Sequence, residues 1–379
     1  MENVDIVNQF GDRLDDLAIA IRRRRLDVLM VFGEANIRSL TGLACDNGCL
    51  LIFPWDQVRD EISRSPIFVT DFRYIPMAHR VAPWLHIEEQ CKGDTLVGAA
   101  QKFLKRSKIR VARIGFEGSI PTSRYLLLQQ LFKRAEFVEC ESEVLDLRAV
   151  KTVKEIMKIA TAELRNDEIW RLACREIKPG MTEKQIQRII RAYMNELGDG
   201  EAFETIVCAG ANAAECHHVP DDTVWQKGEP LLVDMGVKVD GVCSDMTRCI
   251  KPGKAPAKAK LACTAEEYAK IYDIVLKANL AGIAAARPGI TGAELDKVAR
   301  DIITEAGYGE AFGHSLGHGV GYEIHEAPTA SVKGKTKLKA GMLVTIEPGI
   351  YLEGKLGVRI EDLVLITTTG CEVLSHSKK

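Results

Sequence analysis

An internal repeat limits what this chain can fold into more than any single motif. Lys178-Pro179-Gly180-Met181-Thr182 returns as Arg287-Pro288-Gly289-Ile290-Thr291, and Glu196-Leu-Gly-Asp-Gly-Glu-Ala-Phe203 returns as Glu305-Ala-Gly-Tyr-Gly-Glu-Ala-Phe312, both 109 residues on. A shared turn can arise once by chance, but two at one offset indicate duplicated halves. With small gaps the match continues more loosely, Asp234 falling against Glu347 and Asp245 roughly against Glu361. Each half reads as a helix pair followed by a β-hairpin that carries two acids. A pseudo-twofold arrangement would bring all four acids to one central site.

The first hairpin lies in GEPLLVDMGVKVDGVCSDMTRC, residues 228 to 249. Aliphatic runs flank Asp240-Gly241, a dipeptide suited to a tight turn because both residues tolerate positive φ. That turn predicts Val239 opposite Val242, Asp234 opposite Thr247 and Asp245 opposite Gly236. Asp234 and Asp245 then share a face as diagonal neighbours. Two carboxylates on an apolar face repel and are costly to desolvate unless cations neutralise them; solvated aspartates near the turn are the other reading. In the second hairpin, residues 342 to 366, a bend centred on Gly354 sets Glu347 opposite Glu361. An exposed edge strand is the competing account of Glu361 within IEDLVLI. Between the hairpins, GHSLGHGVGYEIHEAP places three histidines among glycines, which implies backbone held near a ligand. His318, between Gly317 and Gly319, is the candidate fifth ligand.

Four carboxylates and one imidazole, with no thiolate, suit two divalent ions, Mn²⁺ foremost, with Co²⁺ or Zn²⁺ as alternatives. Paired ions about 3.5 to 4 Å apart can hold a hydroxide between them and polarise a carbonyl, which is hydrolytic chemistry. His217 and His325 follow the repeated GEAF segment by 14 and 13 residues. Pseudo-symmetry puts them on opposite sides of the metals, as hydrogen-bond donors to a substrate carbonyl or its tetrahedral adduct. His218 points elsewhere. Arg359, two residues before Glu361, is placed to orient it from behind.

At 379 residues the chain exceeds the usual single core. Helical and strand-like segments alternate over the first part, with Asp94 and Thr122 as expected helix caps. This predicts an α/β domain over residues 1–147, which gathers no cluster of chemical groups and so serves positioning or assembly. A helix with Ile156, Ile159, Ala160 and Leu164 on one side opens the second domain, 148–379. A formal charge of -2 leaves no basic excess for nucleic acid. The 11 cysteines have no metal-type spacing and read as reduced, mostly buried thiols. No apolar run approaches a membrane span or a secretory signal, so a soluble, cytoplasmic protein is expected.

VDMG with Asp234, SDMTR with Asp245, GHGVGYEIHE with His318 and His325, TIEPG with Glu347 and VRIED with Glu361 closely resemble the creatinase/aminopeptidase P/prolidase family. RLDDLAIAIRRRRLDVLMVF, NIRSLTG and FVTDFRY resemble its N-terminal domain, so the likeness spans nearly the whole chain. It implies an α+β chain in which a duplicated, pseudo-twofold "pita-bread" catalytic domain follows a creatinase-type α/β domain. Asp234 would bind one metal, Asp245 and Glu361 would bridge two, and His318 and Glu347 would each complete one shell. Glu347 would also shuttle a proton, and His217 and His325 would contact substrate. The implied substrates are peptides with proline second, cleaved after the first residue in the manner of aminopeptidase P, by a homodimer assembled through the N-terminal domain. Prolidase-like members often carry arginine where this chain has Thr329, which leans the expectation towards longer peptides. The alternative is an Xaa-Pro dipeptidase, or prolidase. A metal-free creatinase-like amidinohydrolase and a non-catalytic binding protein are disfavoured by five intact donors, and a methionine aminopeptidase by the extra N-terminal domain.

Overall fold

The computed structural model describes residues 2–54, 66–251 and 261–379, with side chains from residue 10 onward. The chain divides into two compact units, Met1–Arg148 and Ala149–Lys379.

The first unit is built on a six-stranded mixed sheet. In spatial order its strands are His86–Glu89, Ile67–Thr70, Gly48–Ile52, Val28–Val31, Arg113–Phe116 and Glu136–Glu139. The three central strands are buried along their whole length, so period-two alternation sends apolar side chains to both faces. Leu29, Val31, Leu50, Ile52 and Phe68 pack with Leu14, Leu17 and Ile21 of the helix Glu2–Arg23. Val28, Met30, Cys49, Leu51 and Val69 pack with Leu96, Val97 and Phe103 of the helix Leu96–Arg106. Two expected caps are corrected. Thr95, not Asp94, caps Leu96–Arg106, because its hydroxyl reaches the Gly98 amide. Thr122 is the first helical residue of Thr122–Leu131, behind Pro121, and that helix has no side-chain cap.

In the second unit the repeat is structural. Helix pairs Val153–Glu176 with Glu183–Leu197 and Ala265–Ala285 with Gly292–Glu305 are joined by the two Pro-Gly turns. Each of the four helices begins with a reciprocal capping box, a threonine hydroxyl on the N3 amide and an N3 Glu or Gln returning to the threonine amide. The turns dock alike, Gly180 N donating to Trp225 O at 2.8 Å and Gly289 N to Leu338 O at 2.9 Å.

The first hairpin has the predicted register, Val239 against Val242 and Thr247 against Asp234, with Asp240 and Gly241 at φ 50° and 72°. It is not one ladder, however. Leu231–Met235 pairs with Met246–Cys249, Lys238–Val239 pairs with Val242–Cys243, and Asp245 lies in the break. The second hairpin repeats the device. Leu343–Ile346 pairs with Asp362–Ile366 and Gly349–Leu352 with Leu356–Arg359, which leaves Glu347 and Glu361 in its break and opposed in register. Backbone amides in the breaks bond outside their own hairpin: Glu347 N to Leu316 O at 2.8 Å and Glu361 N to Thr247 O at 3.2 Å.

The expected apolar face of Val153–Glu176 is partly corrected. Ile159 is buried, but Leu164 is 55% exposed, and Glu155, Glu163 and Asn166 lie inside with Ile159, Ala162 and Ile169. Among the described residues, no helix is long and apolar enough to cross a membrane. All 11 cysteines are free and most are buried.

Candidate metal centre

Asp245, His318 and Glu361 bring ligand atoms within 4.8 Å of one another, although they come from three separate segments. Glu347 joins them: His318 Nε2 is 3.4 Å from Glu347 Oε1 and 3.5 Å from Asp245 Oδ2. Asp234 and Glu347 also act electrostatically on both Asp245 and Glu361. The five predicted ligands therefore converge.

A fixed network holds them. Arg359 Nη2 donates to Asp234 Oδ2 at 2.7 Å, Arg359 Nε to Thr247 Oγ1 at 3.0 Å, and Thr247 Oγ1 to Glu361 Oε2 at 2.7 Å. Arg359 thus pairs directly with Asp234 and reaches Glu361 from behind, through the Thr247 hydroxyl. Arg359 and Glu361 lean from one strand towards the facing hairpin, where Asp234 and Thr247 are opposite one another. Arg359 Nη1 also donates to Tyr351 Oη at 2.8 Å, and the tyrosine hydroxyl in turn reaches His314 Nε2 at 2.8 Å. Burial alone would lower the Arg359 pKa, but Tyr351, Asp234 and Glu347 around it hold the guanidinium firmly charged. Burial beside Arg359 pushes His314 down to about 4, so it is a neutral acceptor for Tyr351. Thr345 Oγ1 accepts from the His318 amide at 3.0 Å and donates to Glu347 Oε1 at 3.1 Å.

Sequence reasoning gave no role to Thr247, Thr345, Tyr351 or His314. The signal for two of them was period two: Thr247 and Thr345 lie two residues from Asp245 and Glu347, as Arg359 lies two from Glu361. Tyr351 and His314 carry no such mark. The glycines beside His318 also serve a different end from the one expected. A Cβ on Gly317 would meet Thr345 O at 1.9 Å and one on Gly319 would meet Ala327 O at 2.2 Å, so both admit neighbouring backbone and not a ligand.

His217 and His325 are solvent-exposed. The His325 ring stands against His318 at 4.4 Å between centroids and 71° between planes. Burial, then the neighbouring His318 and His217 rings, lower its pKa. His218 turns away, as expected, to Glu183 Oε2 at 2.8 Å and Glu215 Oε2 at 3.1 Å. Both Glu183 oxygens already accept backbone or asparagine donors, so that cluster is a saturated polar clamp.

The donor set fits a cation. Asp234 Oδ1 and Glu361 Oε1 are buried and have no hydrogen-bond partner. Such orphans are costly unless something positive satisfies them. Burial, then mutual repulsion among the acids, raises Asp245 and Glu361 well above the ordinary carboxylate range, and burial pushes Glu347 to about 8. His318 is kept neutral mainly by burial, and its Nδ1 engages Gly319 O at 3.0 Å. Its Nε2 lone pair consequently faces carboxylate oxygens, an arrangement that attracts only if a cation lies between.

The sequence pattern of metallopeptidase family M24 matches residues 157–368, and that of the creatinase/prolidase N-terminal domain matches residues 13–150. The chain belongs to metallopeptidase family M24. This M24 peptidase is 39% identical over 374 residues to the Xaa-Pro dipeptidase of Pyrococcus furiosus, covering 97% of this chain and 99% of that one. Among solved structures, the Xaa-Pro dipeptidase from Bacillus anthracis superposes with a TM-score of 0.86 at 34% identity, covering 97% and 98% of the two chains. The X-Pro aminopeptidase from Thermotoga maritima superposes with a TM-score of 0.80 at 31% identity, covering 94% and 98%. The M24 peptidase therefore has the creatinase-type plus pita-bread architecture and is a metal-dependent hydrolase.

One further contact bears on the loop that carries His325. Lys151 Nζ lies 2.8 Å from Glu326 Oε2, with both side chains almost wholly buried, and Glu326 Oε1 accepts the Glu323 amide at 2.9 Å. Lys151→Met strips the cation from a buried carboxylate, so stability is expected to fall by about 3–5 kcal/mol. Adding Glu326→Gln, which keeps an acceptor for Glu323 without the charge, is expected to restore most of that loss. Urea unfolding midpoints of the single and double variants measure both.

Proposed function

We propose that the protein is an Xaa-Pro dipeptidase with a dinuclear metal site, in which Asp234, Asp245, His318, Glu347 and Glu361 hold two divalent ions, Mn²⁺ foremost. The observation that carries the metal reading is the pair of buried oxygens without a hydrogen-bond partner, Asp234 Oδ1 and Glu361 Oε1. The substrate reading rests on full-length similarity to proteins described as Xaa-Pro dipeptidases.

Bound ions would polarise the scissile carbonyl and ease deprotonation of the attacking water. The chain's own groups do the rest. Thr345 occupies Glu347 Oε1, leaving Oε2 to take a proton from water and deliver it to the departing proline nitrogen. His325 and His217, at the solvent side, donate hydrogen bonds to the substrate carbonyl and to the charge that develops on its oxygen. Arg359, braced by Tyr351, holds Asp234 in place.

Thr329 favours a second reading. It is exposed on the strand Glu326–Ala330, opposite His318, and offers no charge to a dipeptide's free carboxylate. An aminopeptidase P-like enzyme would need none there. Paired assays decide between the two. With Mn²⁺ present, the dipeptidase reading expects an Xaa-Pro dipeptide to be cleaved with at least ~10-fold higher kcat/KM than the matching Xaa-Pro-Yaa tripeptide, a gap of about 1.4 kcal/mol. Preference for the tripeptide would establish the aminopeptidase, and hydrolysis of neither would remove both.

A further inference from the structure

Among the buried carboxylates of the second unit that the reaction above does not use, Glu163 bonds the backbone amide of a candidate ligand. Glu163, on the inner face of the helix Val153–Glu176, has no solvent exposure. Its Oε2 accepts the backbone amide of Asp245 at 3.1 Å, and its Oε1 accepts the hydroxyl of Ser375 at 2.7 Å. That hydroxyl in turn accepts the backbone amide of Leu363 at 2.9 Å. The result is one continuous chain of hydrogen bonds, from Asp245 N–H through Glu163 and Ser375 to Leu363 N–H. It spans from the break of the first hairpin to the strand that follows Glu361.

We infer that Glu163 is a positioning residue that sets the gap between Asp245 and Glu361. The inference rests on the dinuclear reading, in which those two acids bridge the ions. The physical need is specific. Asp245 and Glu361 belong to different hairpins, each lies where its own ladder is interrupted, and their like charges push them apart. Asp245 N lies outside both paired segments of its hairpin and donates to the Glu163 carboxylate. A second brace, Arg248, is also buried and ties the hairpins through Thr247 O, Glu361 O and Asp362 Oδ1. Arg248 fixes the Glu361 side of the junction, and Glu163 fixes the Asp245 side. Two ions sharing a pair of carboxylates tolerate little error in that spacing, and partners behind a ligand shell typically change metal affinity 10–100-fold.

The test compares Mn²⁺ binding and spin coupling across three variants. Glu163→Gln keeps an acceptor for Asp245 N and can donate to Ser375, so two Mn²⁺ ions should bind with close to wild-type affinity. Glu163→Leu removes both contacts. Calorimetric titration of the metal-free protein should show at least one ion bound about 10–100-fold more weakly, and electron paramagnetic resonance should show a changed or absent exchange-coupled dimanganese signal. Ser375→Ala, at the periphery of the network, should shift both readouts in the same direction by less. Circular dichroism and melting of the metal-free proteins report folding separately. If Glu163→Leu folds and binds two coupled ions as the wild type does, the inference is overturned. If Glu163→Leu does not fold, wild-type binding and coupling in Ser375→Ala overturns it equally. A wild-type protein that takes up no pair of ions refutes the dinuclear reading before any variant is made, and this inference with it.

Discussion

Replacing Glu361 with alanine is expected to lower kcat/KM on an Xaa-Pro peptide at least ~10³-fold, about 4 kcal/mol of transition-state stabilisation. Glu361 is 1% exposed, Thr247 fixes one of its oxygens, and the other is buried without a partner. Its loss removes a donor that its neighbours do not replace, because the Asp234 and Glu347 carboxylates are anchored by other contacts. The same substitution removes one buried acid, with its desolvation cost, from a crowded acidic group, so the metal-free variant should melt at or above the wild-type temperature. The stabilisation added by Mn²⁺ should shrink. This pairing of a large activity loss with an undamaged metal-free fold separates a lost ligand from a lost structure. Ordinary hydrolysis by Glu361→Ala would end the peptidase assignment.

The second large effect is a pH dependence that inverts when metal is removed. In the metal-free protein Glu347 is raised from 4.5 to about 8, and Asp245 and Glu361 are raised well above 3.8 and 4.5. The folded chain therefore keeps protons that the unfolded chain releases near pH 4. Their stabilising contribution is complete below that point and is lost as pH rises towards 8 and beyond. Glu163, raised by burial to about 8, acts in the same direction. At about 1.4 kcal/mol per pKa unit, the combined loss reaches several kcal/mol even after generous discounting for coupling. Divalent ions bind the deprotonated acids, so their stabilisation should grow over the same interval. Melting curves from pH 5 to 8.5, with chelator and with Mn²⁺, should diverge as pH rises. Chelated protein that grows more stable towards pH 8, with no response to Mn²⁺, would contradict the proposed centre.

Much of this was legible from the residues alone. Asp240-Gly241 allows one tight turn, and a period-two strand on either side leaves only one register that keeps Val233, Val237 and Val242 buried. The same logic put Glu347 opposite Glu361 about Gly354. The repeated Pro-Gly-x-Thr turn announced two equivalent helix starts, since a threonine followed three residues later by Gln or Glu is a capping box in the sequence itself. Local pattern failed where polar groups go inside. Leu164 was expected in the core in place of Glu163, because hydrophobic periodicity cannot register a carboxylate whose partners are a distant amide and a distant hydroxyl. The pairing of Arg359 with Asp234 was not foreseen for a related reason: the two are 125 positions apart and meet only across the hairpins.

The sequence by itself determined the duplication, the two hairpins with their registers, and five candidate donors, because those depend on turn chemistry, strand alternation and side-chain type, all local in the chain. Only the tertiary structure decided that both ladders break at the acids, that Arg359 clasps Asp234, that Tyr351 and His314 stand behind it, and that Glu163 joins Asp245 to the far hairpin. Those are contacts between residues distant in the chain or on facing strands, Arg359 and Asp234 being 125 positions apart and Glu163 and Asp245 82, and their energies depend on burial and direction, which no spacing along the chain encodes.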